Sequence, residues 1–340
     1  MLVFAIESSC DETSVCIMRN DKKIFSHIVY SQHIHNLHGG VVPELASRAH
    51  LEVLQLITKQ AFRESNINLD SIDAFAATCG PGLIGGLLVG STYAKSMSIG
   101  AGKPFIPINH LEAHISSTSY NNEIRFPHLI ALLTGGHTQI YLMLNQNKME
   151  LISESVDDAI GEAFDKVAKM LGLKYPGGAE IEKKAKNGNE NFFNFPKPVI
   201  KKNNLNFSFS GLKTSANILI KKNKLEKKFV NNVCAGFQKT VSDILSEKLI
   251  YILKHLSNKY LKIASLSVVG GVANNVYIKN KLENITKKNN ILLYYPIKEM
   301  LSDNAAMIAW NCIEKKNIYK NSNLNFKPKP RLEVGEILYE

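Results

Sequence analysis

The sequence predicts an α/β protein built from two similar lobes. Apolar segments of strand length alternate with longer segments in which apolar residues recur every three or four positions, as in helices that pack on a sheet. A strand–turn–strand pattern over residues 2–18 recurs over residues 129–144, which indicates an internal duplication. The length of 340 residues also favours two domains. We expect a first lobe at 1–125 and a second at 126–340, with an approximate boundary and with the last helices able to pack back on the first lobe.

Each copy of the repeated pattern consists of two apolar strands joined by a polar or glycine-containing turn. These strands are predicted at residues 2–6, 15–18, 129–133 and 139–144. A further strand at 266–269 runs into Gly270 and Gly271 ahead of a helix-like segment at 275–282. Other helices are predicted at residues 43–61, 87–99, 159–171, 228–256 and 304–315. Loops at strand ends are favoured ligand sites in such proteins, so the turns after these strands are candidate sites.

Charge is unevenly distributed along the chain. The formal net charge is +11, yet residues 1–120 hold 8 basic and 10 acidic side chains, and residues 121–340 hold 33 and 20. Such an excess is compatible with a polyanionic partner. Nearly all of it is lysine, which a bias in nucleotide composition would explain equally well.

The cysteines and the hydropathy pattern favour an intracellular chain without membrane spans. The odd number of cysteines and their irregular spacing exclude a disulfide framework and fit a reducing cytosol. No apolar run approaches the ~18–20 residues that a membrane-spanning helix needs. We therefore expect a cytoplasmic protein with no membrane partner.

Two glycine-containing turns are candidates for anion binding. The segment at 80–86 follows a predicted strand and precedes a helix, but it lacks the lysine of a Walker loop, and a tight turn would explain it equally well. The turn from Thr134 to Thr138 is the better candidate. Its Gly135 and Gly136 let backbone amides approach a phosphate group, and the flanking hydroxyl groups add donors.

A histidine pair predicts a metal site. His110 and His114 lie four residues apart, so on a helix both imidazole rings occupy one face. Asp303, directly before an apolar helix, is an attractive third ligand, although helix capping alone would also explain it. Histidines without a metal are the alternative. The zinc-peptidase motif requires a glutamate directly after the first histidine, and this position is Leu111, which argues against that mechanism.

Carboxylates are concentrated in the first polar turn. Glu7, Asp11 and Glu12 lie between two predicted strands, where they would orient a cation or accept a proton. In the helix at 159–171, Glu162 and Lys166 would form an ordinary ion pair, which leaves Asp165 unassigned.

Taken together, these motifs resemble those of the tRNA N6-adenosine threonylcarbamoyltransferase family, called TsaD in bacteria. Nine ordered segments carry the resemblance: ESSCDET at 7–13, GGVVPELASRAH at 39–50, GPGLIGGLLVG at 80–90, HLEAH at 110–114, TGGHTQ at 134–139, DDAIGEAFDKVAKMLGL at 157–173, YPGG at 175–178, FSFSGLKT at 207–214 and GGVANN at 270–275. They extend through nearly the whole chain, so together they are far more specific than any one alone.

The resemblance implies an actin, sugar-kinase and Hsp70-like (ASKHA) fold with two duplicated α/β lobes around a nucleotide cleft. Members of the family are acyltransferases that modify tRNA. They transfer a threonylcarbamoyl group from threonylcarbamoyl-AMP to N6 of the adenosine 3′ to the anticodon in tRNAs that read codons beginning with A, and AMP is released.

The resemblance also implies residue roles. His110, His114 and Asp303 would bind one divalent metal ion per subunit, with Fe²⁺ favoured and Zn²⁺ as the alternative. The expected substrate-binding residues are Leu132, Leu133, Thr134, Gly135, Gly136, Asp165, Gly178, Glu182 and Asn275. Asp11 or Glu12 is assigned to the proton that the attacking amine must lose. The implied partners are tRNA, a TsaB-type paralogue that pairs through the N-terminal lobe, and a TsaE-type ATPase.

Three other functions remain as alternatives at this point. The HLEAH segment would suit a metallopeptidase, and the phosphate-binding turns would suit an ATP-dependent phosphotransferase of the same superfamily. A noncatalytic tRNA-binding protein is the third alternative. Transfer of the threonylcarbamoyl group to tRNA would distinguish the family's activity from all three.

Overall fold

The computed structural model describes residues 1–146, 148–198, 204–259, 261–315 and 323–336. The chain forms two compact units, one consisting of Met1–Asn121 with Pro296–Glu340 and the other of Asn122–Tyr295. The first boundary, at residue 121, lies near the approximate division at 125 expected from the sequence, and the C-terminal segment, which was expected to be able to pack back on the first lobe, belongs to the first unit.

The described residues form ten strands and nine α-helices. The strands are β1 (Leu2–Glu7), β2 (Glu12–Arg19), β3 (Ile24–Ser31), β4 (Ala74–Gly80), β5 (Phe105–Asn109), β6 (His128–Leu133), β7 (Thr138–Asn145), β8 (Lys148–Glu154), β9 (Ser265–Val269) and β10 (Leu292–Tyr294). The helices are α1 (Pro43–Ser65), α2 (Ile84–Ala101), α3 (His110–Ser116), α4 (Ile160–Met170), α5 (Gly177–Ala185), α6 (Ser210–Lys221), α7 (Lys227–Ser257), α8 (Val276–Lys288) and α9 (Ala305–Glu314).

The first unit contains a five-stranded mixed sheet in the order β3-β2-β1-β4-β5. Strand β1 pairs antiparallel with β2 and parallel with β4, and β4 pairs parallel with β5. Every residue of β1 is buried, because helices cover both faces of the sheet. Val3 and Ala5 pack with residues of α9, whereas Phe4 and Ile6 pack with residues of α1 and α2. A strand that is buried on both faces needs the uninterrupted apolar sequence seen here.

Helix α9 explains why the C-terminal segment belongs to the first unit. Nine of its ten residues are buried, and several lie in one cluster with the side chains of β1 and β2. The Asn304 side chain caps the helix by accepting a hydrogen bond from the Met307 amide at 3.0 Å. The Ala305 amide donates to Ser14 Oγ in β2 at 3.0 Å. A helix this apolar must be covered, and the first sheet covers it.

The second unit repeats the topology of the first. Its five-stranded sheet has the order β10-β9-β6-β7-β8. Strand β6 pairs antiparallel with β7, β7 antiparallel with β8, and β6 and β10 each pair parallel with β9. Strands β6 to β10 therefore correspond one by one to β1 to β5, which confirms the predicted duplication.

The five longer helices predicted from the sequence are confirmed as α1, α2, α4, α7 and α9, and the segment that follows β9 forms α8. Helix α6 was not among these predictions. In the part of the chain that the structure describes, no helix combines the length and the hydropathy that crossing a membrane requires.

A single side chain, Asp157, holds the start of helix α6. Its carboxylate accepts hydrogen bonds from the Phe209 amide at 2.8 Å and the Ser210 amide at 3.3 Å. It also accepts bonds from the hydroxyl groups of Ser208 and Ser210, at 2.5 and 2.7 Å. Partial burial raises the pKa of Asp157, but these hydrogen bonds outweigh burial and lower it. The contact joins residues more than 50 positions apart, which explains why local sequence does not predict this helix.

We expect Asp157→Ala to lower the free energy of unfolding by about 1 kcal/mol, because the first amides of α6 lose their acceptor. Denaturant unfolding at pH 7 measures this loss. Glu150→Ala is the matched control, since Glu150 is exposed and, among the described residues, its one ion pair is with Lys148 at 3.6 Å. Equal unfolding midpoints for the two variants would contradict the assignment.

Candidate metal and substrate sites

The predicted metal ligands come together in the first unit. Helix α3 begins at His110, where the Asn109 side chain accepts hydrogen bonds from the next two amides. The rings of His110 and His114 lie 4.8 Å apart and nearly perpendicular. Asp303 Oδ1 lies 3.0 Å from His114 Nε2 and 3.5 Å from His110 Nε2. One ligand atom from each of the three residues lies within 4.8 Å of the others.

The charges around this cluster suit a divalent cation. Burial lowers the pKa of His110, but the carboxylates of Glu7 and Asp303 outweigh burial and hold that pKa well above its usual value. Burial would raise the pKa of Asp303, yet the two histidines lower it strongly. Two imidazoles and one carboxylate are a common donor set for zinc and for non-haem iron. The residues present therefore fit a metal ion.

Glu7 fixes the orientation of His110. Its carboxylate is fully buried at the end of β1 and lies 3.1 Å from His110 Nδ1. It also accepts hydrogen bonds from the Ser9 amide, at 2.6 Å, and from the Thr78 hydroxyl. Because Nδ1 donates to Glu7, the other ring nitrogen of His110 is left to face Asp303. The sequence placed Glu7 in an acidic turn but did not pair it with His110.

Asp11 and Glu12 lie in the same unit, at the turn that leads into β2. Asp11 is buried and Glu12 is partly buried. Burial raises the pKa of Glu12 well above its usual value, and the carboxylates of Asp11 and Asp303 raise it further. The influence of Asp303 brings the first polar turn and the metal cluster into one electrostatic environment.

Glu112, inside the HLEAH segment, binds residues of the C-terminal segment. One carboxylate oxygen accepts a hydrogen bond from the Gly335 amide at 2.8 Å, and the other pairs with Lys315. Leu111, in the position where a zinc peptidase needs its base, is buried. Helix α3 thus presents two histidines suited to a metal ion, but it lacks the glutamate that a zinc peptidase uses as its base.

The glycine segment at 80–86 is used for packing. The Gly82 amide donates to Pro330 O at 3.1 Å, and the Leu83 amide donates to Ser9 O at 2.7 Å. A Cβ atom on Gly85 would lie 2.0 Å from Ser47 Oγ. These amides are occupied and the glycines allow close approach of α1, so the tight-turn interpretation describes this segment better than anion binding.

The second unit brings two glycine turns to one edge of its sheet. Thr134 and Gly135 follow β6, and Gly270 and Gly271 follow β9, its parallel neighbour. A Cβ atom on Gly270 would lie 2.5 Å from Leu133 O, and its φ of +91° also favours glycine. Open space surrounds the Cβ positions of Gly135, Gly136 and Gly271. Leu132 and Leu133 are fully buried at the end of β6, where both pair with β7, so the turn that begins at Thr134 is the exposed part of this predicted site.

The remaining predicted substrate residues lie around α5 and the start of α8. Glu182 accepts a hydrogen bond from the Val276 amide at 3.0 Å. Asn275 caps α8 through the Ile278 amide and donates to Gln238 Oε1, both at 3.0 Å.

Asp165 holds the turn that precedes α5. One of its carboxylate oxygens accepts a hydrogen bond from the Gly177 amide at 2.7 Å. Gly178 is the next residue. Glu182 and Asn275 therefore both lie at the start of α8, and Asp165 bonds the residue that precedes Gly178 at the start of α5.

Comparison with solved structures defines the class of protein. Full-length HypF matches with a TM-score of 0.59 at 14% identity, over 94% of this chain and 46% of that chain. The chain thus spans less than half the length of HypF. A ROK family protein from Streptococcus pneumoniae TIGR4 matches with a TM-score of 0.52 at 10% identity, over 94% and 99% of the two chains. These matches, with the duplicated sheets, define an actin, sugar-kinase and Hsp70-like fold.

Sequence comparison defines the family. The model of the TsaD family, tRNA N6-adenosine threonylcarbamoyltransferase, matches residues 23–310. A protein of that name from Rickettsia bellii (strain OSU 85-389) is 45% identical over 340 residues, 98% of this chain and 99% of that protein. Another from Wolbachia pipientis wMel is 43% identical over 332 residues, 98% of each chain. The chain belongs to the tRNA N6-adenosine threonylcarbamoyltransferase family, and neither the peptidase nor the phosphotransferase alternative is favoured.

We expect Glu7→Gln to weaken metal binding about 10- to 100-fold, the range found when the partner of a metal-bound histidine is lost. Glutamine has one side-chain oxygen, so it cannot accept bonds from both Ser9 and His110. Isothermal titration calorimetry of the metal-free protein with Zn²⁺ measures the affinity.

Glu44→Gln is the control, since Glu44 is exposed and, within the described part of the chain, its ion pair is with Arg48 across one helix turn. Unchanged Zn²⁺ affinity in Glu7→Gln would show that Glu7 does not orient His110.

Proposed function

We propose that the protein transfers a threonylcarbamoyl group from threonylcarbamoyl-AMP to N6 of the adenosine 3′ to the anticodon in tRNAs that read codons beginning with A, and releases AMP. The observation that carries this proposal is the match to the family over 98% of the chain. The convergence of His110, His114 and Asp303 supports it. Because the acceptor is tRNA, the cytoplasm is the proposed site of action.

The proposed metal ligands are His110, His114 and Asp303, with Fe²⁺ favoured and Zn²⁺ as the alternative. A bound ion would supply Lewis acidity towards the oxygens of the donor. Glu7 keeps the Nε2 atom of His110 directed at Asp303, so the ligand geometry exists before the substrate binds.

The residues of the protein need only position the substrates and stabilise charge, because the donor is a mixed anhydride. An activated donor needs no covalent nucleophile, so positioning and charge stabilisation suffice. The open backbone at Gly135 and Gly136 is proposed to donate amide hydrogen bonds to the leaving phosphate. Asp11 or Glu12 is proposed to accept the proton that the adenosine amine loses during attack.

The nucleotide part of the donor is assigned to the second unit. Leu132, Leu133 and Thr134 would line the site at the end of β6, with the two leucines buried beneath it. Asp165, Gly178 and Glu182 would lie on the ribose side. Asn275 would contact the nucleotide from the N-terminus of α8, where Gln238 holds its side-chain amide.

A TsaB-type paralogue and a TsaE-type ATPase are the proposed protein partners. The first unit offers an exposed apolar surface for the paralogue on α1 and α2, which approach closely where Gly85 meets Ser47. Around this crossing, Leu51, Ile84 and Leu88 are 71%, 45% and 48% exposed. Exposed apolar residues grouped in this way are typical of an interaction surface.

We expect the full chain, incubated with its bacterial partners, the adenylate-making enzyme, tRNA, threonine, bicarbonate and ATP, to form the modified adenosine. His110→Ala should lower metal content and transfer together, with transfer reduced at least about 100-fold, because several kcal/mol of charge stabilisation are lost. Metal analysis and nucleoside digestion of the tRNA measure the two effects.

His33→Ala is the control, since His33 is exposed. Full transfer by a metal-depleted His110→Ala protein would refute the role of this cluster.

We expect Leu88→Glu to weaken association with the paralogue about tenfold or more, because a charge would be buried without a partner. Sedimentation of mixed proteins measures the affinity. Ile218→Glu in the second unit is the matched control, because Ile218 is 52% exposed. Equal affinity of both variants would place the interface elsewhere.

A further inference from the structure

The lysines of the second unit fall into two groups. Several form ion pairs: Lys213 lies 2.6 Å from Asp158, and Lys239 and Lys281 each lie 3.1 Å from Asp243. The segment 221–228, which runs from the end of α6 to the first residues of α7, is different. All eight of its residues are exposed, and it holds five lysines and one glutamate. None of these lysines has an ion-pair partner among the residues that the structure describes.

These lysines do not stabilise the helix that follows. Lys227 and Lys228 occupy the first turn of α7, which holds no acidic residue. The positive end of the helix dipole lies there, so acidic residues would stabilise the turn and lysines do not. Stabilisation of α7 therefore does not account for the charge of these lysines.

An aromatic cluster lies beside this turn. Phe229, the next residue of α7, has its ring centroid 5.5 Å from that of Phe193, which in turn lies 4.8 Å from Phe192. Both contacts are edge-to-face. Phe192 is 58% exposed and belongs to a cluster of rings instead of standing alone on the surface.

The segment that carries Phe192 is anchored on α7. The Asn189 amide donates to Asn232 Oδ1 at 2.8 Å, and a Cβ atom on Gly188 would lie 2.1 Å from Asn231 O. The Glu190 carboxylate accepts a hydrogen bond from the Tyr277 hydroxyl at 2.9 Å. Phe192 is therefore held at the surface before any ligand binds, which lowers the entropic cost of stacking against it.

Helix α7 connects this surface to the proposed nucleotide site. Gln238, which holds Asn275, follows Lys228 by ten residues. At a rise of 1.5 Å per residue this is about 15 Å along the helix. At roughly 3.4 Å per stacked nucleotide, four or five nucleotides span the same distance. An RNA whose adenosine meets a donor bound at this site would therefore reach the surface with neighbouring nucleotides.

We propose that residues 221–228 together with Phe192, Phe193 and Phe229 form a binding surface for the anticodon stem–loop of the tRNA, with the lysines contacting phosphates and Phe192 stacking on an unpaired base. Cationic side chains beside an exposed aromatic ring match the two chemical features of single-stranded RNA. An acidic protein segment would use the lysines but not the ring. This inference rests on the proposed function for the identity of the RNA.

The test measures binding of the full-length chain to an unmodified tRNA transcript and to its anticodon stem–loop by fluorescence anisotropy at several salt concentrations. Phe192→Leu should weaken binding about tenfold with an unchanged salt slope, because stacking is lost and charge is retained. Phe192→Tyr should restore the affinity. Lys227→Gln combined with Lys228→Gln should reduce the salt slope by about one to two.

Matched controls separate this surface from general charge effects. Lys287→Gln combined with Lys288→Gln removes the same charge from the exposed end of α8 and should leave binding unchanged. Heparin is a polyanion without bases, so its affinity should respond to the lysine changes but not to Phe192→Leu. Equal melting temperatures for all variants establish that they are folded.

The proposal is overturned if Phe192→Leu and the Lys227/Lys228 variant bind both RNAs like the unchanged protein, or if Phe192→Leu weakens heparin and RNA binding equally. Preference for anionic phospholipid vesicles over RNA would also overturn it. The transfer assay separates this inference from the proposed function. Unchanged binding by the variants with normal modification of tRNA refutes this surface alone. The expected binding changes without any modification by the unchanged chain refute the proposed activity alone.

Discussion

The first unit depends on one buried carboxylate, that of Glu7. A carboxylate without exposure to solvent is strongly destabilising unless hydrogen-bond donors surround it. Here the donors come from three places: the Ser9 amide after β1, the Thr78 hydroxyl in β4 and His110 directly after β5. The same bonds that satisfy Glu7 therefore tie together the carboxyl ends of three parallel strands. They also orient His110, the first of the proposed metal ligands, so fold stability and site geometry share one interaction.

The duplicated topology supplies two different chemistries. In the first unit, the ends of the parallel strands carry carboxylates and imidazoles, which together attract a cation. In the second unit, the corresponding strand ends carry glycine turns with open space around the Cβ positions of Gly135, Gly136 and Gly271, and we propose that their backbone amides bind an anion. The same backbone arrangement would then serve opposite charges, with the difference lying in the residues placed after the strands.

Local patterns were predictable and long-range contacts were not. The i, i+4 spacing of His110 and His114 defines one helix face, and the repeated strand–turn–strand pattern defines the duplication. The contact of Glu7 with His110 spans 103 positions, and no local pattern indicates it. The same reason applies to Asp157 and α6. The role of a glycine could not be predicted from the sequence alone. In the segment at 80–86, Gly85 allows close packing against Ser47, whereas the glycines after β6 have open space around their Cβ positions.

Glu112 shows why a motif alone does not define an activity. HLEAH contains a histidine pair and a glutamate, which are the residue types of a zinc peptidase. In the structure, the Glu112 carboxylate pairs with Lys315 and accepts a hydrogen bond from the Gly335 amide, and both partners lie more than 200 positions further along the chain. Both oxygens of this carboxylate therefore already have a partner within the protein. The residue types of HLEAH are therefore compatible with a peptidase. The contacts of Glu112, however, give it another role, because they hold the C-terminal segment against the helix that carries both histidines.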